Sequence, residues 1–310
     1  MLKNKNNNFI LSLSILLLMI IFISNPTRYM QSITDGLIIW ATAVVPSLLP
    51  FFILSKLLVE LNFFDPFCKY ISPITKKLFK APAISGYIFL ISIFSGYPVG
   101  AKLLQEYHKN GILNKNQCKK ISTFTSTSGP LFILGTVSGG FFNNQKLGFI
   151  LLCCHILSTV FCGIFLRNFY CNDNNTTILK NQYNASKNIL NDTIYSSVLS
   201  ILAIGVFISM FFMITDILPI YKIPNKTIQA FITGIIEITH GCKMLSQLNL
   251  SFISTAVLCQ TLISFGGICI ILQSYTYLKD CGIKFSQLIF FKCFQASISA
   301  ILTFLVCTIF

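Results

Sequence analysis

The chain has 310 residues, 54% of them hydrophobic and 10% charged, with a mean hydropathy of +0.73. Charge this far below the roughly 25% of soluble domains, together with 30 Phe and 11 Tyr, leaves too little polar surface to clothe a water-facing globule. The excess of 23 Lys+Arg over 9 Asp+Glu gives +14, but the bases lie between apolar runs, where they anchor cytoplasmic loops, so a lipid bilayer and not nucleic acid is the expected partner.

In chain order, Lys3 and Lys5 precede an apolar run at residues 9–23. A small-residue cleavage pattern is missing, so residues 1–32 are expected to be an uncleaved first helix with its basic end in the cytoplasm. The run at 33–61 carries Pro46 and Pro50, each of which removes a helix N–H, so a kinked span is expected. A basic block (Lys69, Lys76, Lys77, Lys80) and a second (Lys102, Lys109, Lys115, Lys119, Lys120) then flank an apolar stretch at 81–101. Both blocks cannot be cytoplasmic if that stretch crosses. It is broken at Ser95, Gly96, Tyr97, Pro98, Val99 and Gly100, and a re-entrant hairpin satisfies both the charge rule and the breakers.

The run at 121–142 is interrupted by Thr125, Ser126, Thr127, Ser128, Gly129 and Pro130, a polar tract that lipid does not tolerate, so a discontinuous helix is expected. A plain span at 147–166 and a polar, Asn-rich loop at 167–192 follow, of which 171–192 reads as a linker between two halves, 33–170 and 193–310. The second half repeats the order with runs at 193–218, 227–248, 252–278 and 285–310, giving about seven or eight spans in all. Gly100 to Leu104 match Gly241 to Leu245 at an offset of 141, and Ser126 and Gly129 fall on Ser264 and Gly267 at an offset of 138. Counting crossings puts the first hairpin on the cytoplasmic side and the second opposite. The expected fold class is therefore an all-α integral membrane protein of inverted-topology repeats, with two re-entrant hairpins and two discontinuous helices.

In such folds half-helix ends aim free N–H and C=O groups at a midplane solute. The substrate-binding candidates are Ser95, Gly96 and Tyr97 at the first tip, and Thr125, Ser126, Thr127, Ser128 and Gly129 in the first broken helix. Glu237, Thr239 and His240 at the second tip and Ser264, Gly266 and Gly267 in the second broken helix complete the set. For the Ser and Thr residues the plainer role is helix-to-helix hydrogen bonding. A carboxyl within the run around Glu237 costs roughly 2.5–3.5 kcal/mol on insertion scales, so it accepts a proton, pairs with a cation, bonds a solute, or reaches water from a shallow stretch. Lys102 and Lys243 follow the two tips at matching positions and are expected either to face an anionic solute from opposite sides or to snorkel to the interface. Asp216, beside Pro219, is read as interfacial, His155 as packed and hydrogen-bonded, and His108 as solvated. Most of the 12 cysteines lie in apolar runs as small hydrophobes, and no metal-ligand spacing appears. No Walker, GxSxG or HExxH pattern occurs, so neither an ATP motor nor an enzyme is expected, and no cofactor beyond a coupling proton or Na+.

The stretches Val45-Pro46-Ser47-Leu48-Leu49-Pro50-Phe51-Phe52, Ser95-Gly96-Tyr97-Pro98-Val99-Gly100-Ala101-Lys102 and Gly129 to Val137 resemble the YlbJ (SpoVV) family of sporulation integral membrane proteins and the wider nucleoside-recognition (Gate) domain group. Gly234 to Gly241 is similar to that group's second Gate motif. The resemblance implies two Gate-like repeats akin to concentrative nucleoside transporters. It further implies passage of dipicolinic acid, a small anionic aromatic solute, across the outer forespore membrane during sporulation. A nucleoside or another small carboxylate on the same fold is the alternative, in the cell membrane, as is a non-transporting scaffold for spore assembly. A homo-oligomer is compatible with it. The chain departs from the family in an abbreviated loop between the halves and in His240 at the second tip.

Overall fold

A computed structural model of the protein describes residues 2–61, 63, 65–169 and 188–309, and every regular element among them is helical. Of the linker expected at 171–192, residues 171–187 lie outside the described residues, and residues 189–192 already belong to the helix Ile189–Ile217. α1 is Leu2–Ser24 and α2 is Pro26–Ile39, with Pro26 at the first helical position, where its missing N–H costs nothing. The first helix thus ends at Ser24, and 25–32 belong to the next element. The kink expected between 33 and 61 takes another form. Trp40–Val44 is a π-helical turn, after which α3, Val45–Glu60, runs on through Pro50 as the same span.

α4 (Asp65–Phe79) turns through 97° into α5 (Ile84–Ser95). A break at Gly96–Pro98 leads into α6 (Val99–Lys109), and the T-shaped contact of Tyr87 with Tyr107 at 6.5 Å shows the two arms folded back on each other. α7 (Lys115–Ser122) opens on a capping box between Asn114 and Gln117, each bonding the other's backbone N–H at 2.9 Å. It breaks at 123–129 and resumes as a π-helical arm, Phe132–Phe142. α8 (Gln145–Phe165) is capped by Asn144.

The second half runs α9 (Ile189–Ile217), a short 3₁₀ turn, α10 (Lys226–Ile236), α11 (Ile238–Ser246), α12 (Phe252–Phe265), α13 (Gly267–Leu278) and α14 (Phe285–Ile309). Glu237 alone separates α10 from α11, so Thr239 and His240 lie in the first turn of α11 and not in a loop. The two arms touch at Gly241 against Gly234, a crossing that leaves no room for a Cβ. Gly266, at φ 85°, separates α12 from α13.

Five described helices are long and apolar enough to cross a membrane: Pro26–Leu58, Gln145–Phe165, Ile189–Ile217, Phe252–Leu278 and Phe285–Ile309. The bent pair at α4 and α5 brings the number to at most six. That is fewer than the apolar runs suggest, because the breaks divide several runs into pieces too short to span alone. Large apolar side chains on the outer faces of α8, α9 and α14, such as Phe161, Val206 and Phe304, are exposed on the molecule as lipid-facing groups are. This is a multi-pass α-helical membrane protein.

The packing is reciprocal. α6 of the first folded-back pair lies against α13, while α11 of the second lies against the π-helical arm. α8 and α14 back them, and α2 and α3 pair with α9 on the other flank. One apolar cluster forms around α5, α6, α7 and α13, and another around the π-helical arm, α8, α11 and α12. The four interruptions sit between these clusters.

Candidate functional site

Gly96, Gly266 and Gly267 interrupt their helices at positive φ, the second tip is broken by Glu237 in extended backbone, and each interruption is in contact with another. Gly96 has φ 69° and ψ −165°, a region open only to glycine, and its position lies directly on Gly129 of the first broken helix. The hydroxyl of Tyr97, next along, reaches Gly266 of the second broken helix. Gly267, at φ 73°, rests on the backbone of Ile236 and Ile238 at the second tip. All four breaks therefore meet.

Two buried side chains lock them together. The His155 ring, in α8, accepts the N–H of Ser128 on Nε2 at 2.9 Å, which fixes the tautomer with hydrogen on Nδ1, and Nδ1–H donates to Ser264 Oγ at 3.0 Å. Ser264 Oγ in turn donates to the amide oxygen of Gln260 at 3.2 Å, whose NH₂ donates to Leu151 O at 3.0 Å. Lys292, in α14 and 4% exposed, donates from Nζ to Ser126 O at 2.7 Å, Ser264 O at 3.3 Å, Gln295 Oε1 at 3.1 Å and the Tyr97 hydroxyl. Thr127 Oγ1 donates to Ser92 O at 2.6 Å, and Thr125 Oγ1 to Ile121 O at 3.0 Å, so these two hydroxyls serve the helix ends.

Glu237, 1% exposed, occupies the N-terminus of α11 and accepts the N–H of His240 on Oε2 at 2.6 Å. It is a helix cap, with its negative end against the positive end of the helix dipole. The carboxyl does not reach water, one of the outcomes the sequence left open, since it is buried among helix ends.

A chamber of about 60 Å³ lies at the junction, lined among others by Ser95, Gly96, Tyr97, Ser128, Gly129, Glu237 and Thr239. A wider cavity of about 200 Å³ contains Lys102 with Lys56, Glu60 and Glu106, and shares Phe52, Ser95, Ile204 and Gln273 with the chamber. A third, of about 430 Å³, contains Lys243 and His240 with Asp35, Asp216 and Tyr221, and shares no lining residue with the chamber. There the His240 ring stacks on Phe212 at 4.1 Å, 10° from parallel, and its Nδ1 is 3.1 Å from Thr215 Oγ1. Asp216 is not simply interfacial. It forms a two-pronged pair with Arg28, at 2.8 and 2.9 Å, and accepts from Ser32 at 2.9 Å.

Of the residues singled out from sequence, Ser95, Gly96, Tyr97, Ser128, Gly129, Glu237 and Thr239 line the chamber. Ser126, Ser264, Gly266 and Gly267 lie just behind it. Thr125 and Thr127 are turned into the backbone, and His240 faces the far cavity. Lys102 and Lys243 do not address one solute from two sides: they line separate cavities, because each follows its tip by a turn and a half and so emerges on its own face. Sequence reasoning missed Lys292 and understated His155. The signal for Lys292 was present, since a lysine deep in the apolar run at 285–310 is as anomalous as Glu237, with Gln295 three residues on along the same helix face.

No family model matches the chain, and no solved structure matches it. It is similar to the sporulation integral membrane protein YlbJ of Bacillus subtilis (strain 168), 26% identical over 340 residues that cover 97% of this chain and 83% of that protein. A likeness along nearly the whole chain supports its assignment to the YlbJ family.

Proposed function

We propose that the protein is a carrier, not an enzyme, that moves a small anionic aromatic solute across a membrane during sporulation by alternating exposure of the chamber at the four breaks. The observation that carries this reading is that four helix interruptions, from two stretches with the same element order, meet beside one small chamber whose mostly apolar wall carries Ser95, Ser128, Glu237 and Thr239. Interrupted backbone at membrane depth persists only where it is buried in protein or lines a cavity, and paired broken helices are how secondary transporters build a midplane site. On this reading the two halves are inverted repeats like those of concentrative nucleoside transporters, and the folded-back pairs α5–α6 and α10–α11 are the re-entrant hairpins.

The chamber is far below the ~300–1,000 Å³ of ordinary ligand pockets, so solute entry requires the tips to part. The chamber shares Phe52, Ser95, Ile204 and Gln273 with the Lys102 cavity and no lining residue with the cavity of Phe212 and His240; on this reading that is a state biased toward the basic loops, the cytoplasmic side by the charge rule. Dipicolinic acid and the outer forespore membrane are what the family resemblance suggests for cargo and place. Lys102 then attracts the dianion at the entrance, and the Ser95 and Ser128 hydroxyls receive its carboxylates.

The test is deletion of the gene in a spore-former that carries it, with spore-core dipicolinate measured with and without dipicolinate added outside. The reading expects a deficit restored by the gene, together with dipicolinate uptake by vesicles holding the purified protein. Normal core dipicolinate in the deletion strain, with inert vesicles, would overturn it.

A further inference from the structure

Lys292 is deep inside the protein, 4% exposed, with no ion pair among the described residues. Its surroundings are oxygen throughout: three carbonyl-type acceptors, Ser126 O, Ser264 O and Gln295 Oε1, and the hydroxyl of Tyr97, over whose ring Nζ also lies at 4.5 Å from the centroid. Two of these carbonyls have a special position. Ser264 O lies in the last turn of α12, among the orphan acceptors at a helix C-terminus where the dipole is negative, and Ser126 O belongs to the unwound stretch that follows α7. One helix end and one unwound segment, from the two broken helices, thus converge on a single ammonium.

A dry cage of carbonyl oxygens at unwound helix ends is what a small monovalent cation takes in carriers built on broken helices. The three protons of an ammonium fit the same oxygens. Those three protons are shared among four oxygens, so Lys292 has none left for an anionic solute, and it does not line the chamber. We infer that Lys292 is a resident cation: its ammonium fills the cage that an exchangeable Na+ or K+ would otherwise occupy, pinning both broken helices without a bound metal ion. The cost of bringing the charge into the membrane is met by the helix end, the unwound segment and Gln295, itself held by donation to Thr159 Oγ1 at 2.8 Å. This inference rests on the cage and not on the cargo.

The experiment compares the purified wild-type protein with Lys292→Ala and Tyr97→Phe by thermal melting in Na+, K+, NH₄⁺ or N-methylglucamine chloride at one ionic strength. Wild-type melting is expected to be the same in all four salts. Lys292→Ala is expected to melt several degrees lower in N-methylglucamine and to recover in NH₄⁺ or Na+, because a small ion can re-enter the vacated cage. In vesicles its flux should fall about tenfold, as expected when the converging acceptors lose their charge partner, and rise again in the same salts. Tyr97→Phe, which withdraws one oxygen and keeps the lysine, should stay indifferent to the cation. Wild-type or Tyr97→Phe protein stabilised by Na+ or K+ over N-methylglucamine would overturn the inference, as would a Lys292→Ala protein that no small cation stabilises. If Lys292→Ala does not survive extraction, the wild-type and Tyr97→Phe melts decide between the same two results. Melting reads the cage whatever the solute, so failure here is distinct from failure of the transport reading.

Discussion

Gly96→Ala tests whether contact between the breaks holds the site together. Gly96 has φ 69° and ψ −165°, where a side chain costs about 1–3 kcal/mol in backbone strain. A Cβ there would lie 2.5 Å from Gly129 N and 2.8 Å from Gly129 Cα. Both are main-chain atoms that cannot rotate aside, so overpacking adds about 1–3 kcal/mol, and the total expected loss is about 2–6 kcal/mol. Gly111→Ala is the matched control: its φ is also positive, at 72°, but nothing lies within 4 Å of the added atom, so only backbone strain of about 1 kcal/mol is expected. Stability of both purified variants is read by denaturant unfolding in detergent, and solute flux in vesicles. A loss for Gly96→Ala no greater than that for Gly111→Ala would refute the claim that the first tip seats directly on the first broken helix.

Glu237→Ala removes the cap of α11 and is expected to cost about 0.5–2 kcal/mol, whereas Glu237→Gln keeps an acceptor and should lose less, which unfolding of both variants checks. If flux survives in Glu237→Gln at full stability, the residue is a cap and nothing more. His155→Ala leaves the Ser128 N–H buried without a partner and is expected to destabilise by about 1–3 kcal/mol in the same unfolding assay. Because Lys102 and Lys243 line separate cavities, Lys102→Ala and Lys243→Ala are expected to change flux independently, with a coupling below about 0.5 kcal/mol in a double-mutant cycle. In the turn between α13 and α14, a 2.6 Å bond from Gln105, helped by Lys109, holds the Asp280 carboxyl below the usual carboxylate range. A depressed folded value stabilises above the unfolded value of about 3.9 and is lost as pH falls through the folded one, so Asp280→Asn should flatten the acid side of a melting-versus-pH profile below about pH 5.

Hydropathy and glycine placement determined much of this protein before any coordinates. Apolar runs of this length predict membrane helices, and Gly96, Gly266 and Gly267 mark left-handed backbone that favours a residue without a side chain, so these breaks were legible one at a time. In the structure Asn114, Asn144, Asn225 and Ser251 cap the helices that follow them. Which residues face a shared space was decided by tertiary structure alone. Lys102 and Lys243 are equivalent by position yet open on different cavities, since the turn of each helix beyond its tip sets the face on which a side chain emerges. His155 was legible as a packed, hydrogen-bonded residue, and Lys292 as a lysine in an apolar run, but not their partners. Those come from what α8 and α14 are packed against: for Lys292, Ser264 is 28 residues away but Ser126 and Tyr97 are 166 and 195 away, and no local pattern encodes which oxygens a buried lysine will meet.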